Sequence, residues 1–300
     1  MKTSEWTHAL VAQAGLDPVY VDELVARAIA EDLDSGVDVT SVATVPFDQE
    51  GVVKVVARAT GVVAGLPVAV AVLDAVTEGA VQIDVQFEDG DVVNKGDVLI
   101  SAIALTRQLL LAERTMLNLL CHLSGIATVT RQWAEALEGT TAVVRDTRKT
   151  TPGLRALEKY AVRAGGGLNH RMSLSDAALI KDNHVVAAGG VVAAFAAVRA
   201  NFPDVPVEVE CDTVAQVIEA VEAGADLVLL DNMSIDQMRE AVRVTAGRAR
   251  LEASGGLTLA TAKAVGATGV DYVAVGAITH SAPILDIGVD LELRPLPREG

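Results

Sequence analysis

Apolar positions along the chain change period twice. In the first 30 residues they recur at helical spacing: Val21, Leu24, Val25, Ala28 and Ile29 follow Asp17-Pro18, an N-cap with proline at the first helical position. That opening reads as helix, and the polar stretch Glu31–Ser41 ends it. Between Gly51 and Ile103 the pattern turns to short β-branched runs at Val52–Val56, Val81–Val85 and Val98–Ile100, with a helix from Leu66 to Val76 introduced by Pro67. Strands with an intervening helix predict a small α+β domain. Leu105 to Leu137 is helical, with an expected interruption near Ser124-Gly125. Beyond it, short apolar runs recur at Thr141–Arg145, Ala177–Ile180, Val207–Val209, Leu227–Leu230, Ala249–Leu251 and Tyr272–Val275. Helical segments at Val191–Ala200, Val214–Ala223, Ile235–Ala246 and Leu259–Val265 separate them. Strands alternating with helices predict a parallel sheet.

Each run gives way to polar or glycine-containing residues: Asp146-Thr147-Arg148-Lys149, Lys181-Asp182-Asn183-His184, Glu210-Cys211-Asp212, Asp231-Asn232, Glu252-Ala253-Ser254-Gly255-Gly256 and Gly276-Ala277. Polar residues at the carboxyl ends of successive parallel strands make the active face of a β/α barrel, or line the crevice of a doubly wound sheet. No G-x-G-x-x-G follows the first strand, which favours the barrel, incomplete at about six strands.

Composition narrows the chemistry. Three hundred residues, 51% hydrophobic and 21% charged, suit two globular domains at about 150 residues each. Lys+Arg 24 against Asp+Glu 40 leaves −16, which disfavours nucleic acid and anionic membranes as partners. Aromatic content of 3% removes the stacking platforms of single-strand binders. Cys121 and Cys211 cannot frame a disulfide scaffold; they read as buried small hydrophobes suited to a reducing cytoplasm. Met1–Trp6 lacks the apolar core of a signal peptide, and the apolar run Val185–Val198 is interrupted by a Gly-Gly pair and too short to span a bilayer. A cytoplasmic protein is expected.

Against this acidic background, Arg145–His184 holds eight Lys/Arg and four Asp/Glu, a net +4. A cationic pocket in an acidic protein points to a small, highly anionic substrate. Arg148, Lys149, Arg171 and Lys181 are its core, Arg offering a planar fork and Lys a point charge. Arg155, Glu158, Lys159 and Arg163 read instead as a solvated, salt-bridged helix face. Gly165–Arg171 is a loop permitting close backbone approach, with His170 beside Arg171 as a substrate contact. Glu210 and Asp231 suit a polyhydroxylated sugar with a divalent cation, and Asp212 could stand in for Glu210. Ser254-Gly255-Gly256 and Gly276-Ala277 suit phosphate binding through backbone N–H groups; His280 could be a phosphate donor or a surface residue. Phe87–Leu99 looks like half of a biotinyl/lipoyl hairpin around Lys95, but no matching second half exists, so it reads as a structural β-hairpin. There is no serine nucleophile elbow and no zinc-binding His pair.

Arg145–Gly153, GGGLNHR (165–171), LIKDNH (179–184), VEVECDT (207–213), LVLLDNM (227–233), LEASGGL (251–257) and VAVGAITHSAPILDIGVDL (273–291) together resemble the quinolinate phosphoribosyltransferase family of type II phosphoribosyltransferases. EDLDSGVDVTS (31–41) and ERTMLNLLCHLSGIAT (113–128) extend the likeness into the first half. One departure is that many relatives read Gly-Asp-x-Thr where this chain has Gly36-Val37-Asp38-Val39-Thr40. The resemblance implies transfer of phosphoribosyl from phosphoribosyl pyrophosphate to the quinolinate ring nitrogen. Loss of carbon dioxide and pyrophosphate then leaves nicotinate mononucleotide, in de novo NAD synthesis. It implies Lys149, Lys181, Glu210 and Asp231 as catalytic residues. Substrate contacts would come from these and from Thr147, Arg148, His170, Arg171, Ser254, Gly255, Gly256, Val275, Gly276 and Ala277. Magnesium would arrive mainly on the donor's pyrophosphate, with no protein ligand assigned. Arg114 would enter from the neighbouring subunit of a homodimer, although by sequence it resembles an ordinary exposed helical arginine. A type II phosphoribosyltransferase for another acceptor would lack the Thr147–Lys149 and His170-Arg171 cluster; a non-catalytic assembly subunit would have no use for the cationic window. The expected organisation is α/β. An N-terminal, sandwich-like α+β domain spans 1–125, an incomplete β/α-barrel catalytic domain spans 126–285, and 286–300 returns to pack on the first.

Overall fold

A computed structural model of the chain describes residues 2–294, in two compact units. The first takes the chain through Thr128, Ala156–Gly165 and the segment from Ala282 onward. The second is Val129–Arg155 with Gly166–Ser281.

The first unit opens on two helices rather than one, α1 (Glu5–Gln13) and α2 (Pro18–Leu33), separated where Gly15 takes a φ of 73°. Asp17 caps α2 by accepting from the Val19 N–H, and Val21, Val25 and Ile29 are its buried stripe. α2 runs on into the polar stretch expected to end it, and a third helix, α3 (Val39–Thr44), begins within that stretch. It is nucleated by the Asp38 carboxylate, which accepts from the Thr40 and Ser41 N–H groups. Strands β1 (Glu50–Ala57) and β2 (Gly61–Val62) come next, then α4 (Leu66–Thr77), β3 (Gln82–Val85), β4 (Val92–Val93) and β5 (Val98–Leu105). Every residue of α4 is buried, as a helix apolar all round requires. β1 lies antiparallel between β5 and the last strand, giving the order β12-β1-β5-β3 in which β12 is Ile287–Leu293. The C-terminal return is therefore observed for 287–293; residues 295–300 lie outside the described residues.

The Phe87–Leu99 stretch is not a hairpin in itself. It connects the paired strands β3 and β5, and within it β4 pairs with β2 instead. Asp89 there caps α4, accepting from the Gly65 and Leu66 N–H groups at 2.9 and 3.1 Å.

Helix α5 (Thr106–Ala136) runs 31 residues without the break expected near Ser124-Gly125. Both residues are there for packing. The Ser124 hydroxyl accepts from the Ala64 N–H and donates to the Ala64 carbonyl. A Cβ at position 125 would lie 2.1 Å from the Pro283 carbonyl oxygen. Gly125→Ala should therefore destabilise the fold by about 1–3 kcal/mol in urea unfolding, despite alanine's better helix propensity. A gain in stability would contradict this packing account.

A further correction concerns α6 (Arg155–Ala164). Glu158 and Lys159, expected on a solvated face, are fully buried, and Glu158 meets His122 Nε2 at 2.9 Å. Tyr160 donates to the half-buried Asp89 carboxylate, while Arg163 remains exposed over the Tyr160 ring. The charged stripe is turned inward where it finds partners.

In the second unit six parallel strands stand in the order β6-β11-β10-β9-β8-β7. They are β6 (Val143–Arg145), β7 (Ala178–Ile180), β8 (Val207–Cys211), β9 (Leu227–Asp231), β10 (Arg250–Ser254) and β11 (Tyr272–Ala274). Helices α7 (Asp182–Ala188), α8 (Val191–Asn201), α9 (Val214–Glu222), α10 (Ile235–Thr245) and α11 (Leu259–Gly266) alternate with them, and a short α12 (Ala277–His280) comes after β11. Capping boxes at Thr213/Gln216 and Ser234/Gln237 start α9 and α10. Because β6 and β7 are both edge strands, this is a β/α barrel open on one side. Beside β6, Leu168 forms a parallel bridge with Arg145 and so fixes the loop that carries His170 and Arg171. Cys121 and Cys211 are buried and free, and burial pushes the Cys211 thiol up to about 12. Among the described residues no single helix is long and apolar enough to cross a membrane.

Candidate active site

Side chains alternate along a strand, so Glu208 and Glu210, Leu229 and Asp231, and Glu252 and Ser254 each share a face. The parallel register aligns Glu210, Leu229 and Glu252 across β8, β9 and β10, and sets Asp231 beside Ser254 one level higher. These residues border a cavity of about 660 Å³ at the carboxyl ends of the strands.

Its walls come from every strand. Thr147, Arg148 and Lys149 extend from β6, and the Thr147 hydroxyl accepts from the Lys149 N–H at 3.0 Å, turning the chain. His170 and Arg171 come from the bridged loop. Lys181 leaves β7 at the N-terminus of α7, its N–H donating to His184 Nδ1. Glu210 and Asp231 stand on β8 and β9, and Asn232 Nδ2 donates to Asp231 at 2.7 Å. Ser254, Gly255 and Gly256 close the β10 side; Gly255 has φ 88°, and a Cβ there would lie 2.3 Å from Asn232 Oδ1. Glycine is the residue that this approach admits.

Six residues singled out from the sequence are not among the lining. Val275, Gly276 and Ala277 are not among the lining residues, but a Cβ on Gly276 would meet two that are, Lys149 Cδ at 2.9 Å and Thr147 Oγ1 at 3.3 Å. The Thr279 hydroxyl of α12 donates to the Lys149 carbonyl at 2.8 Å, so this segment braces the Thr147–Lys149 turn. Asp212 and His280 are exposed and outside the lining; the Asp212 N–H serves the α9 capping box through Gln216, and His280 meets Ser281. Arg114 is exposed on α5, in the first unit, and is not among the lining residues.

Sequence reasoning placed Glu252 and Asn232 in strand-end clusters without giving them a role, and missed the apolar Leu179, Leu229 and Ala274 of the lining together with Glu208. The available signal was a carboxylate inside an apolar strand run, at Val207-Glu208-Val209 and Leu251-Glu252-Ala253, where burial demands a partner.

The electrostatics are those of a site built around anions. Arg148 Nε and Arg171 Nε are buried and meet no hydrogen-bond partner among the described residues. Burial, and then the Arg148 guanidinium beside it, hold Arg171 below the usual arginine range. Burial also raises the Glu210 carboxyl; Lys181 opposes the rise and Asp231 adds to it. Arg171 Nη1 donates to the Ala177 carbonyl at 2.8 Å, and the two neighbouring guanidiniums keep further donors of the kind that suits carboxylates. The Glu210/Asp231 side offers hydroxyl-accepting oxygens instead.

Known proteins match nearly the whole chain in sequence and fold. Residues 38–124 match the N-terminal domain model of quinolinate phosphoribosyl transferase, and 126–290 match the C-terminal domain model. The nicotinate-nucleotide pyrophosphorylase (carboxylating) of Mycobacterium leprae is 52% identical over 90% of this chain and 96% of its own length. A probable enzyme of that name from Bacillus subtilis is 40% identical over 93% and 96%. The crystal structure of NadC from Streptococcus pyogenes superimposes with a TM-score of 0.89 at 42% identity, covering 93% of this chain and 99% of that one. The chain belongs to the quinolinate phosphoribosyl transferase family.

Proposed function

We infer that this chain catalyses the reaction of its family. It moves the phosphoribosyl group of phosphoribosyl pyrophosphate to the ring nitrogen of quinolinate, releasing pyrophosphate and carbon dioxide and leaving nicotinate mononucleotide for NAD synthesis. One observation carries the acceptor assignment: Arg148 and Arg171 stand together with buried, unused Nε donors. A dicarboxylate supplies the missing acceptors, with Lys149 and His170 beside the pair. Glu210 and Asp231 hold the ribose hydroxyls, and their charge faces the cation that develops at the anomeric carbon. Lys181 faces the departing pyrophosphate, and the backbone of Ser254–Gly256 takes the 5-phosphate. The lining offers oxygen donors and no sulfur, which fits a hard cation. Magnesium carried by pyrophosphate oxygens would neutralise the leaving group, and no side chain is assigned to it.

Decarboxylation asks little of the protein. Once the ring nitrogen is quaternary, its charge accommodates the electron pair left on the adjacent carbon as carbon dioxide departs. A lysine or water then supplies the proton. Phosphorus NMR of a reaction mixture tests the reading: the donor signals should give way to pyrophosphate and a nucleotide monophosphate with quinolinate. Replacing quinolinate by nicotinate, which lacks the second carboxylate, should abolish turnover, and equal turnover of both would contradict the clamp.

The active enzyme is proposed to be a homodimer in which Arg114 of one subunit completes the partner's acceptor site. The two buried free thiols suit a reducing cytoplasm. Arg114→Ala and Lys149→Ala should each be nearly inactive alone. Refolded together they should recover roughly a quarter of wild-type activity, because half the dimers are mixed and one of their two sites is intact. No recovery, with mixed dimers verified by mass, would place Arg114 outside the shared site.

A further inference from the structure

On the acceptor side of the cavity four ionisable groups are linked, and of these only His170 has a place in the transfer reaction above. Arg145 Nη1 meets Glu252 Oε2 at 2.6 Å, His170 Nε2 meets Glu208 Oε2 at 2.5 Å, and His170 Nε2 lies 3.9 Å from Glu252 Oε1. The side chains of Glu252, Glu208 and His170 are 1%, 5% and 8% exposed, so these charges are out of water. Their supports are specific. The His170 N–H donates to Asp146 Oδ1 at 2.9 Å, Arg145 Nη2 donates to the Asn169 carbonyl, and Arg145 stacks 4.4 Å over the Tyr272 ring. Glu208 Oε1 is buried and meets no hydrogen-bond partner among the described residues.

With both carboxylates ionised, the Arg145 cation faces two anions and the three carry −1. One further proton makes them neutral. His170 and Glu252 both line the cavity, so the acceptor side faces whichever state prevails. We propose that Arg145, Glu252, His170 and Glu208 are a positioning unit holding one shared proton under the acceptor site, so that this floor is neutral when the proton is present and repels a dianionic acceptor when it is lost. The proposal rests on the acceptor reading above.

The charges facing Glu252 agree with this. Arg145 of β6 and His170 of the bridged loop pull toward ionisation, while Glu208 of β8 and burial push against it. Burial prevails, and the Glu252 carboxyl is pushed up to about 7. Arg148, Lys149, Arg171 and Lys181 share the cavity as cations, and Glu210 and Asp231 as anions; Arg250 of β10 stands over the far side of the unit, on the Tyr272 ring. A raised carboxyl is protonated below that pH and ionised above it, so the floor turns anionic on the alkaline side.

If only the protonated unit binds well, the apparent affinity falls with the protonated fraction. The quinolinate KM of the wild-type enzyme should then rise about tenfold between pH 6 and pH 8. Glu252→Gln cannot ionise and should flatten that rise. Glu208→Gln removes one of the two anions, so that ionised Glu252 leaves the unit neutral beside Arg145, and should flatten the rise as well. A second measurement needs no turnover. Calorimetry of quinolinate binding at pH 8, in buffers of different ionisation enthalpy, should show uptake of about one proton by wild type and none by Glu252→Gln.

A flat wild-type profile, or no proton uptake, would overturn the unit while leaving the acceptor assignment standing. So would a Glu252→Gln profile that tracks wild type. Failure of wild type to bind quinolinate at all would overturn both. His170, Glu208 and Glu252 also place one ligand atom each within 4.8 Å of one another. A stoichiometric divalent transition ion held by those three in the purified enzyme would overturn the shared-proton assignment as well.

Discussion

Arg148→Ala should raise the KM for quinolinate by about thirtyfold to several thousandfold, the equivalent of about 2–5 kcal/mol for stripping one partner from a buried charged pair. The size reflects the surroundings. Arg148 Nε is buried without a protein acceptor, and Arg171 stands close enough for Arg148 to disfavour its charge. Two such cations are costly in the absence of ligand, and an arriving dicarboxylate relieves both. Removing Arg148 leaves one ligand carboxylate desolvated and without its fork. Arg148→Lys should also weaken binding, since a point charge cannot give two parallel hydrogen bonds. The KM for phosphoribosyl pyrophosphate should move far less. Equal losses for both substrates would remove Arg148 from the acceptor clamp.

Asp231→Asn should lower kcat by about a hundredfold to a thousandfold while the quinolinate KM stays near wild type. The change is nearly isosteric, and Asn232 can keep a hydrogen-bond acceptor at the position it now meets at 2.7 Å. What disappears is a negative charge facing the developing cation. The pH dependence should shift as well, because Asp231 is one of the charges that raise the Glu210 carboxyl. Without it Glu210 ionises at lower pH, and the acid limb of the kcat profile should move in that direction. Unchanged kcat at saturating donor and magnesium would transfer the stabilising role to Glu210 alone.

The barrel was legible because buried parallel strands are near-continuous apolar runs, and each of the six announces its end with a polar or glycine-containing cluster. Arg148, Lys149, Lys181, Glu210 and Asp231 could be found that way, as strand-end residues in an acidic chain with one cationic window. Tertiary contacts hid the rest. Ser124-Gly125 looks like a helix break until Ala64 and Pro283 are known to press against it. The charged stripe of α6 looks solvated until His122 is seen against Glu158. Glu208 was hidden inside an apolar run and Glu252 passed as one more strand-end polar residue, because only the barrel brings His170 and Arg145 to them. The Gly276 turn was legible as a glycine loop, yet its nearest neighbours are Lys149 and Thr147. Spacing along the chain finds what one element does by itself, and it cannot find a partner supplied by another.

The central claim joins two events in one cavity, bond formation at the ring nitrogen and loss of the neighbouring carboxylate. Quinolinate labelled in the carboxyl group next to the nitrogen tests that coupling most directly. With purified enzyme, phosphoribosyl pyrophosphate and magnesium, labelled carbon dioxide should appear in a one-to-one ratio with nicotinate mononucleotide, and omitting the donor should abolish it. Release of label without the donor, or nucleotide formation with the label retained, would contradict the account.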